Sequence, residues 1–598
     1  MAFPRLRVPS ASRQMIETFG GYNHNLRIGD GEFYDMKNLT SDDYPLLATR
    51  RQRGVYATVQ APTGLIAKDA LCYVDGTAFV INEERVEMEL NQEPKQLISM
   101  GTHVIILPDK KYINTHDVTD FGNIDARTTT DEPVTISLCR VDSSDYTVEY
   151  AGATEPPKPS ESTTWPDRTM WIDTSTTPNV LKQWSSTSAM WIQIASTYVK
   201  IKSTGIGKAF DVYDGINISG LAGQELHTET GDVIEDTSEL SALEGSAVVW
   251  DKGDDYIVIV GMISNVWTIT DSITIERSMP NMDFVIECGN RLWGCRYGMA
   301  LNGEVVNEIY CSKLGDFKNW NCFMGISNDS WVGGVGTDGP FTGAIAHQGY
   351  PLFFKENYIH KVYISSSGAH QVADHTCRGV QEGCHHSLAI VGEVVYYKAR
   401  NGICAYDGSL PMGVSQAFGN VQYKNAVAGA YGNKYYVSMQ DAEGNYHLFV
   451  YDAAKGMWHR EDELQADCFC NCRDDLYCIE SGTGRILTML GSGEKETDPV
   501  EWLAESGMIG LSMPDMKYIS RLILRLELPE QSQLSCYAEY DSSGNWEQLF
   551  AVEGQGTRTW TLPVRPVRCD HMRLRLEGLG PMKLFSITKT VEKGSDVR

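Results

Sequence analysis

Two clusters of cysteine and histidine carry the side chains best suited to chemistry. His375, Cys377, Cys384, His385 and His386 crowd one short stretch. Thiolates and imidazoles are the ligands zinc prefers, so His375, Cys377, Cys384 and His385 are the candidates for a tetrahedral site. Their spacing is that of no standard zinc knuckle, and no metal or other cofactor is expected. Cys468, Cys470 and Cys472 alternate along CFCNC. In a strand, alternate side chains share a face. Three thiols on one face could hold a metal, or they could pack as Val, Ile and Ala do in comparable strands. Trp165, Trp171, Trp184 and Trp191 form the third group. Closely spaced aromatics suit a sugar-stacking platform or an interface, and equally the core of a small β module.

Catalytic signatures are missing from the chain. No glycine-rich turn stands between a strand and a long helix, where a helix N-terminus could hold phosphate. There is neither a G-x-S-x-G elbow nor an H-E-x-x-H pair. A glycosidase needs two carboxylates flanking one bond, and one sequence cannot pair them. The nearest pieces to the S-x-D-x-G-x-x-W turn of sialidase-type propellers are SNDSW at 327–331 and DSSGNW at 541–546, and each misses required positions. The expectation is a protein without enzymatic activity.

The elements that position these residues read as strands. Apolar residues alternate or run in fours to sixes, with Gly, Asn and Asp breaking the chain every ten or so residues, the spacing of short antiparallel strands. Fifty-five glycines supply the turns. Hairpin phrases recur at 67–81, 99–113, 287–297, 346–363, 391–408, 429–451 and 472–490. The expected fold is therefore all-β: a β-propeller of about seven blades, six to eight being compatible, with an inserted small β domain and a C-terminal β-sandwich. Residues 1–127 would hold an N-terminal strand and the first blades. Residues 128–280 form the insert, opening on a Pro/Ser/Thr linker (TEPPKPSESTTWP) and holding the Trp-rich segment, with a Gly-rich acidic region up to Asp255. Residues 281–500 hold the remaining blades. The sandwich occupies 501–598, where Arg521 to Leu528 and Met572 to Leu576 alternate polar and apolar side chains.

Composition narrows the partners. The 598 residues include 78 acidic and 51 basic side chains, a formal charge of −27, which makes the chain a poor candidate for gripping nucleic acid through its phosphates. The acidity would either line a conduit that repels DNA or keep a crowded protein soluble. MAFPRLRVPSASRQM is basic but lacks the apolar core of a signal peptide, and no run of about 18 apolar residues occurs, so neither export nor membrane insertion is expected. The fifteen cysteines read as reduced, buried thiols.

Several phrases resemble one family. FGGYNHNLRIGDGEFYDMKNLTSDDYPLLATRRQRG looks like the opening of phage virion propeller proteins. ERSMPNMDFVIECGNRLWGC and IYCSKLGDFKNWN are similar to later segments of that family, as are GPFTGAIAHQGYPLFFKENYIHKVY, CHHSLAIVGEVVYYKARNGICAYDG and PDMKYISRLILRLELP. The functional analogues are the tail-nozzle, or tail-accessory, proteins of short-tailed phages. The resemblance implies a virion protein of the tail or neck, assembled in the host cytoplasm, that forms a ring extending the DNA exit channel. It implies portal, adaptor or tail proteins as partners, self-association as a hexamer, and DNA passing without specific binding. The alternatives are a tail-tip protein that binds a host-surface glycan and, third, a propeller hydrolase of surface polysaccharide.

Overall fold

The computed structural model describes the chain except residues 1–10, 147, 149, 160–163, 224–237, 301–302, 366–368, 493, 496–497 and 595–598. Part of the basic N-terminus, of the Pro/Ser/Thr linker and of the acidic Gly-rich region therefore lies outside the described residues. Among those described, helix is confined to Ser238–Ser241 and two 3-10 turns, and nearly everything else regular is strand.

The chain is a β-propeller. Four-stranded antiparallel units span 62–87, 96–123, 284–334, 343–376, 389–413 and 424–460. A further unit combines three strands within 466–488 with Gly54–Thr58, so an N-terminal strand closes a C-terminal blade. We number these blades one to seven in the order given. Their first strands pack side by side around an axis. The ring passes through the 3-10 turn His385–Ser387 between blades four and six, and closes where Ala466–Cys472 meets Pro62–Lys68.

Blade packing explains the apolar runs in the sequence. A second strand lies between neighbouring blades and is covered on both faces, so it cannot alternate. Tyr350–Lys355 and Val394–Ala399 are buried at every position but the first. Outer strands meet water, and Asp117–Asn123 alternates exposed and half-buried residues.

The insert between blades two and three holds two sheets. One has eight strands, from Ala126–Thr129 to Thr274–Arg277, around a core that includes Ile136, Ile201, Ile218 and Ile259. The other has four strands within 150–193 and carries the tryptophans. Buried Asp214 anchors the insert to blade three: its carboxylate pairs with Arg277 and accepts from Asn319 Nδ2 at 2.9 Å. Gly215 completes the anchor, because a Cβ there would run into the Asn321 backbone.

The C-terminal sandwich departs from the expected boundaries. It is not built from 501–598 alone, since residues 11–49 also supply strands to it. Ala11–Ile16 pairs along Lys583–Lys593, from Ala11 opposite Glu592 to Ile16 opposite Ile587. Gly21–Tyr22 and Glu32–Lys37 join Met457–Arg460 of blade six to Glu501–Ser506, making one ten-stranded sheet. The N-terminal segment thus belongs with the C-terminus, and the sandwich is welded to the propeller by backbone hydrogen bonds. Lys517–Leu528 and Met572–Leu579 alternate buried and wetter positions.

Candidate functional site

The blades converge on an axial funnel of about 980 Å³, lined by six of the seven blades and, ahead of blade five, by the turn that carries His385, His386 and Leu388. Its wall mixes polar and apolar surface, the apolar part coming from Pro62, Leu97, Pro280, Ile345, Val427 and the rings of Phe284 and Phe469 among others. Several polar groups at its rim are already satisfied. Lys95 Nζ lies 2.6 Å from Asp109 Oδ2, and Lys110 Nζ donates to the Met279 carbonyl at 2.6 Å and meets Asp125 at 3.2 Å. The Gln96 amide holds Val285 from both sides, donating to its carbonyl and accepting from its N–H.

His385 and His386 are fixed by the turn that carries them. Ser387 Oγ donates to the Cys384 carbonyl at 2.6 Å and accepts from Lys398 N, while Tyr435 OH donates to the Ser387 carbonyl at 2.7 Å. The turn cannot shift without breaking bonds to blades five and six. The two imidazoles lie tilted by 42° with centroids 3.9 Å apart, and Phe284 lies 5.2 Å from His385. Burial holds His385 down to about 4, with His386 adding to the effect, so the ring is neutral near pH 7. His386 is lowered in the same way, opposed by the charge of Asp467. Asp467 sits where the register slips between Ala466 and Cys468, a bulge in the first strand of blade seven. Bulges re-aim side chains, and Asp467 borders the funnel. Nearby, the Thr63 hydroxyl is buried without a partner among the described residues.

The proposed zinc ligands do not meet. His375 lies on the outer strand of blade four, Cys377 follows it, and Cys384 is buried with its sulfur accepting from Ala426 N at 3.4 Å. Only His385 reaches the funnel. Among the described residues no group of three or more His, Cys, Asp or Glu is placed to hold a metal. Strand periodicity could not bring His375 and Cys384 together because the turn at 377–384 carries them to different blades. Cys468, Cys470 and Cys472 do share a face, packed between blades seven and one with Leu71, Ile479 and Ile486. Burial raises all three thiols, so they are poor ligands and poor nucleophiles.

The four tryptophans form one cluster. Trp165 lies 4.7 Å from Trp184 and 5.2 Å from Trp191, which is 5.3 Å from Trp171. Trp165, Trp171 and Trp184 are buried, and Trp165 and Trp171 donate to the Pro156 and Gly152 carbonyls. They are the core of their small sheet and offer no open platform for a sugar.

Sequence reading missed two buried lysines at the ends of apolar second strands, in LFFK and YYKA. Lys355 reaches Asn307 Oδ1 at 2.9 Å and the Thr337 carbonyl at 2.7 Å. Lys398 reaches Gln381 Oε1 at 2.7 Å and the Ala399 carbonyl at 2.6 Å, and burial lowers its pKa. A charge closing an apolar run was the available signal.

No family model matches the sequence, and no curated protein matches it. Some solved structures align with it. One is an exo-β-1,3-galactanase from Phanerochaete chrysosporium, at 8% identity over 51% of this chain and 94% of that one, with a TM-score of 0.21. Another is the Trypanosoma rangeli sialidase, at 8% identity over 98% of this chain and 96% of that one, also with a TM-score of 0.21. Scores this low assign no activity to this chain.

Proposed function

We propose that the chain is a non-enzymatic structural subunit of a tailed-phage tail or neck. Copies form a ring that extends the DNA exit channel and supports neighbouring tail parts. The observation that carries this reading is an arc of exposed apolar residues at the ends of, or between, the third and fourth strands of blades three, four and five. In an antiparallel four-stranded blade the connections between those strands all leave the same face. Phe323, Ile326, Ile364, Leu410 and Met412 are 52–69% exposed there. Large apolar side chains exposed together on one side of a molecule mark interfaces, because water gains when they are covered.

The blade-three loop is held rigid behind its exposed tip. The Arg291 guanidinium donates to the carbonyls of Ser312, Ser327 and Asp329. Asp329 Oδ2 accepts from the N–H groups of Met324, Gly325 and Ile326. A loop already ordered loses little entropy on docking. The proposed occupant is the next copy in the ring, with the hexamer as the stoichiometry the resemblance implies. A net charge of −27 lets DNA pass such a ring without sticking.

Mass photometry of the purified full chain tests the arc. Phe323→Asp with Ile326→Asp should release monomers from rings, and rings that persist unchanged would overturn the proposal. Deleting the gene from the phage should give heads that leak DNA or lack a complete tail, and normal infectious particles would refute it. A glycan-binding tail tip working through the insert draws no support from tryptophans that are buried.

A further inference from the structure

We infer that the axial funnel is a binding site for a small polyhydroxylated ligand, of monosaccharide to disaccharide size, held by Asp467, His385 and His386 against Phe284 and Phe469. The inference goes beyond the structural role and stands without it.

The first ground is the inventory of polar groups. Around the funnel the cations are spent, because Lys95 is paired with Asp109, and Lys110 with Asp125 and the Met279 carbonyl. Asp283, also at the rim, accepts from Tyr297 N at 2.8 Å. What stays uncommitted among the described residues is the Asp467 carboxylate, two imidazoles, the Asn281 amide and the buried Thr63 hydroxyl. A neutral imidazole offers one donor and one acceptor, a hydroxyl both, and a carboxylate only acceptors. The set is therefore mixed. An ammonium ion only donates and would leave the donors unused, while a phosphate would meet Asp467 with no free cation to offset it. A hydroxyl donates and accepts, and two neighbouring hydroxyls match the two oxygens of one carboxylate.

The second ground is shape. A funnel of about 980 Å³ has room for a sugar ring or two. Phe284 packs on His385 at 5.2 Å, so one aromatic face adjoins the polar groups, and Phe469 follows Asp467 by two residues on the same strand. Aromatic faces beside hydrogen-bonding groups suit the apolar C–H faces of a sugar ring. The third ground is backbone. The bulge at Asp467 takes it out of the ladder, and the bonds of Ser387 lock the turn of the two histidines. These features cost ladder regularity and serve to aim side chains at the axis.

Saturation-transfer NMR and calorimetry on the full chain test this with D-glucose, D-galactose, N-acetyl-D-glucosamine, L-rhamnose and maltose, beside spermidine and inorganic phosphate. At least one sugar should bind saturably. Asp467→Asn and, separately, His386→Gln should each weaken it about tenfold or more, with the thermal transition kept, whereas Val141→Asp, at an exposed position of the insert, should not. No sugar binding at about 10 mM overturns the inference. So does sugar binding that both funnel substitutions leave intact, and so does saturable binding of spermidine or phosphate alone.

Discussion

Arg53 lies almost wholly buried just ahead of the closing strand, its guanidinium 2.8 Å from Glu461 and 2.6 Å from Asp462. Arg50 reaches the same two carboxylates at 3.8 and 3.3 Å. Removing one member of a buried ion cluster strands the others without water, so Arg53→Ala should cost about 3–5 kcal/mol in a denaturant titration. Lys398 has amide and carbonyl partners only. Lys398→Met should therefore be tolerated, while Gln381→Leu, which strips the ammonium of a partner, should lower stability by about 1–3 kcal/mol. At this scale the sequence was only partly legible. His385 stood out as chemically able, yet its true neighbours are Phe284 and His386 rather than His375 or Cys377. Arg53 gave no sign, because its partners lie 408 and 409 residues away.

Strands and hairpins were the most readable level, since alternation, apolar runs and turn glycines are set locally. Turns such as Gly76 (φ 63°) and Gly432 (φ 56°) fall where the hairpin phrases placed them. Pairing between distant segments was not readable, because a short strand such as GVYAT fits any sheet edge of the right polarity. Gly54–Thr58 lies between two neighbours, with Val55 opposite both Leu487 and Glu494. Val55→Pro should thus cost about 3 kcal/mol or more and open the ring, seen as faster hydrogen exchange in blades one and seven. In the tryptophan sheet, hydrogen bonds from Lys182 and Ser175 lower Asp173 from 3.8 to about 2. Its ionised form is the one that folding favours. That contribution is complete above pH 4 and fades as pH falls toward 2. Tryptophan fluorescence should report loosening of the sheet in that window, and Asp173→Asn should flatten the dependence.

Across the whole molecule, propeller and sandwich share the ten-stranded sheet, so neither should survive the loss of the other. Ending the chain at residue 500 strips Glu32–Lys37 of its neighbour Glu501–Ser506 and uncovers the blade-six edge of the core. Such a fragment should sediment as aggregate, and a soluble, cooperatively melting fragment would contradict the shared-sheet account. Periodicity foresaw the propeller and sandwich as types but not their fusion, which depends on contacts between opposite chain ends. That fusion also sets a schedule for biosynthesis. Ala11 finds its partner only when Glu592 has been made, roughly half a minute to two minutes later at ordinary ribosome speeds. Throughout that interval the edge of Ala11–Ile16 stays unpaired, an open template for another chain until the C-terminal strand covers it.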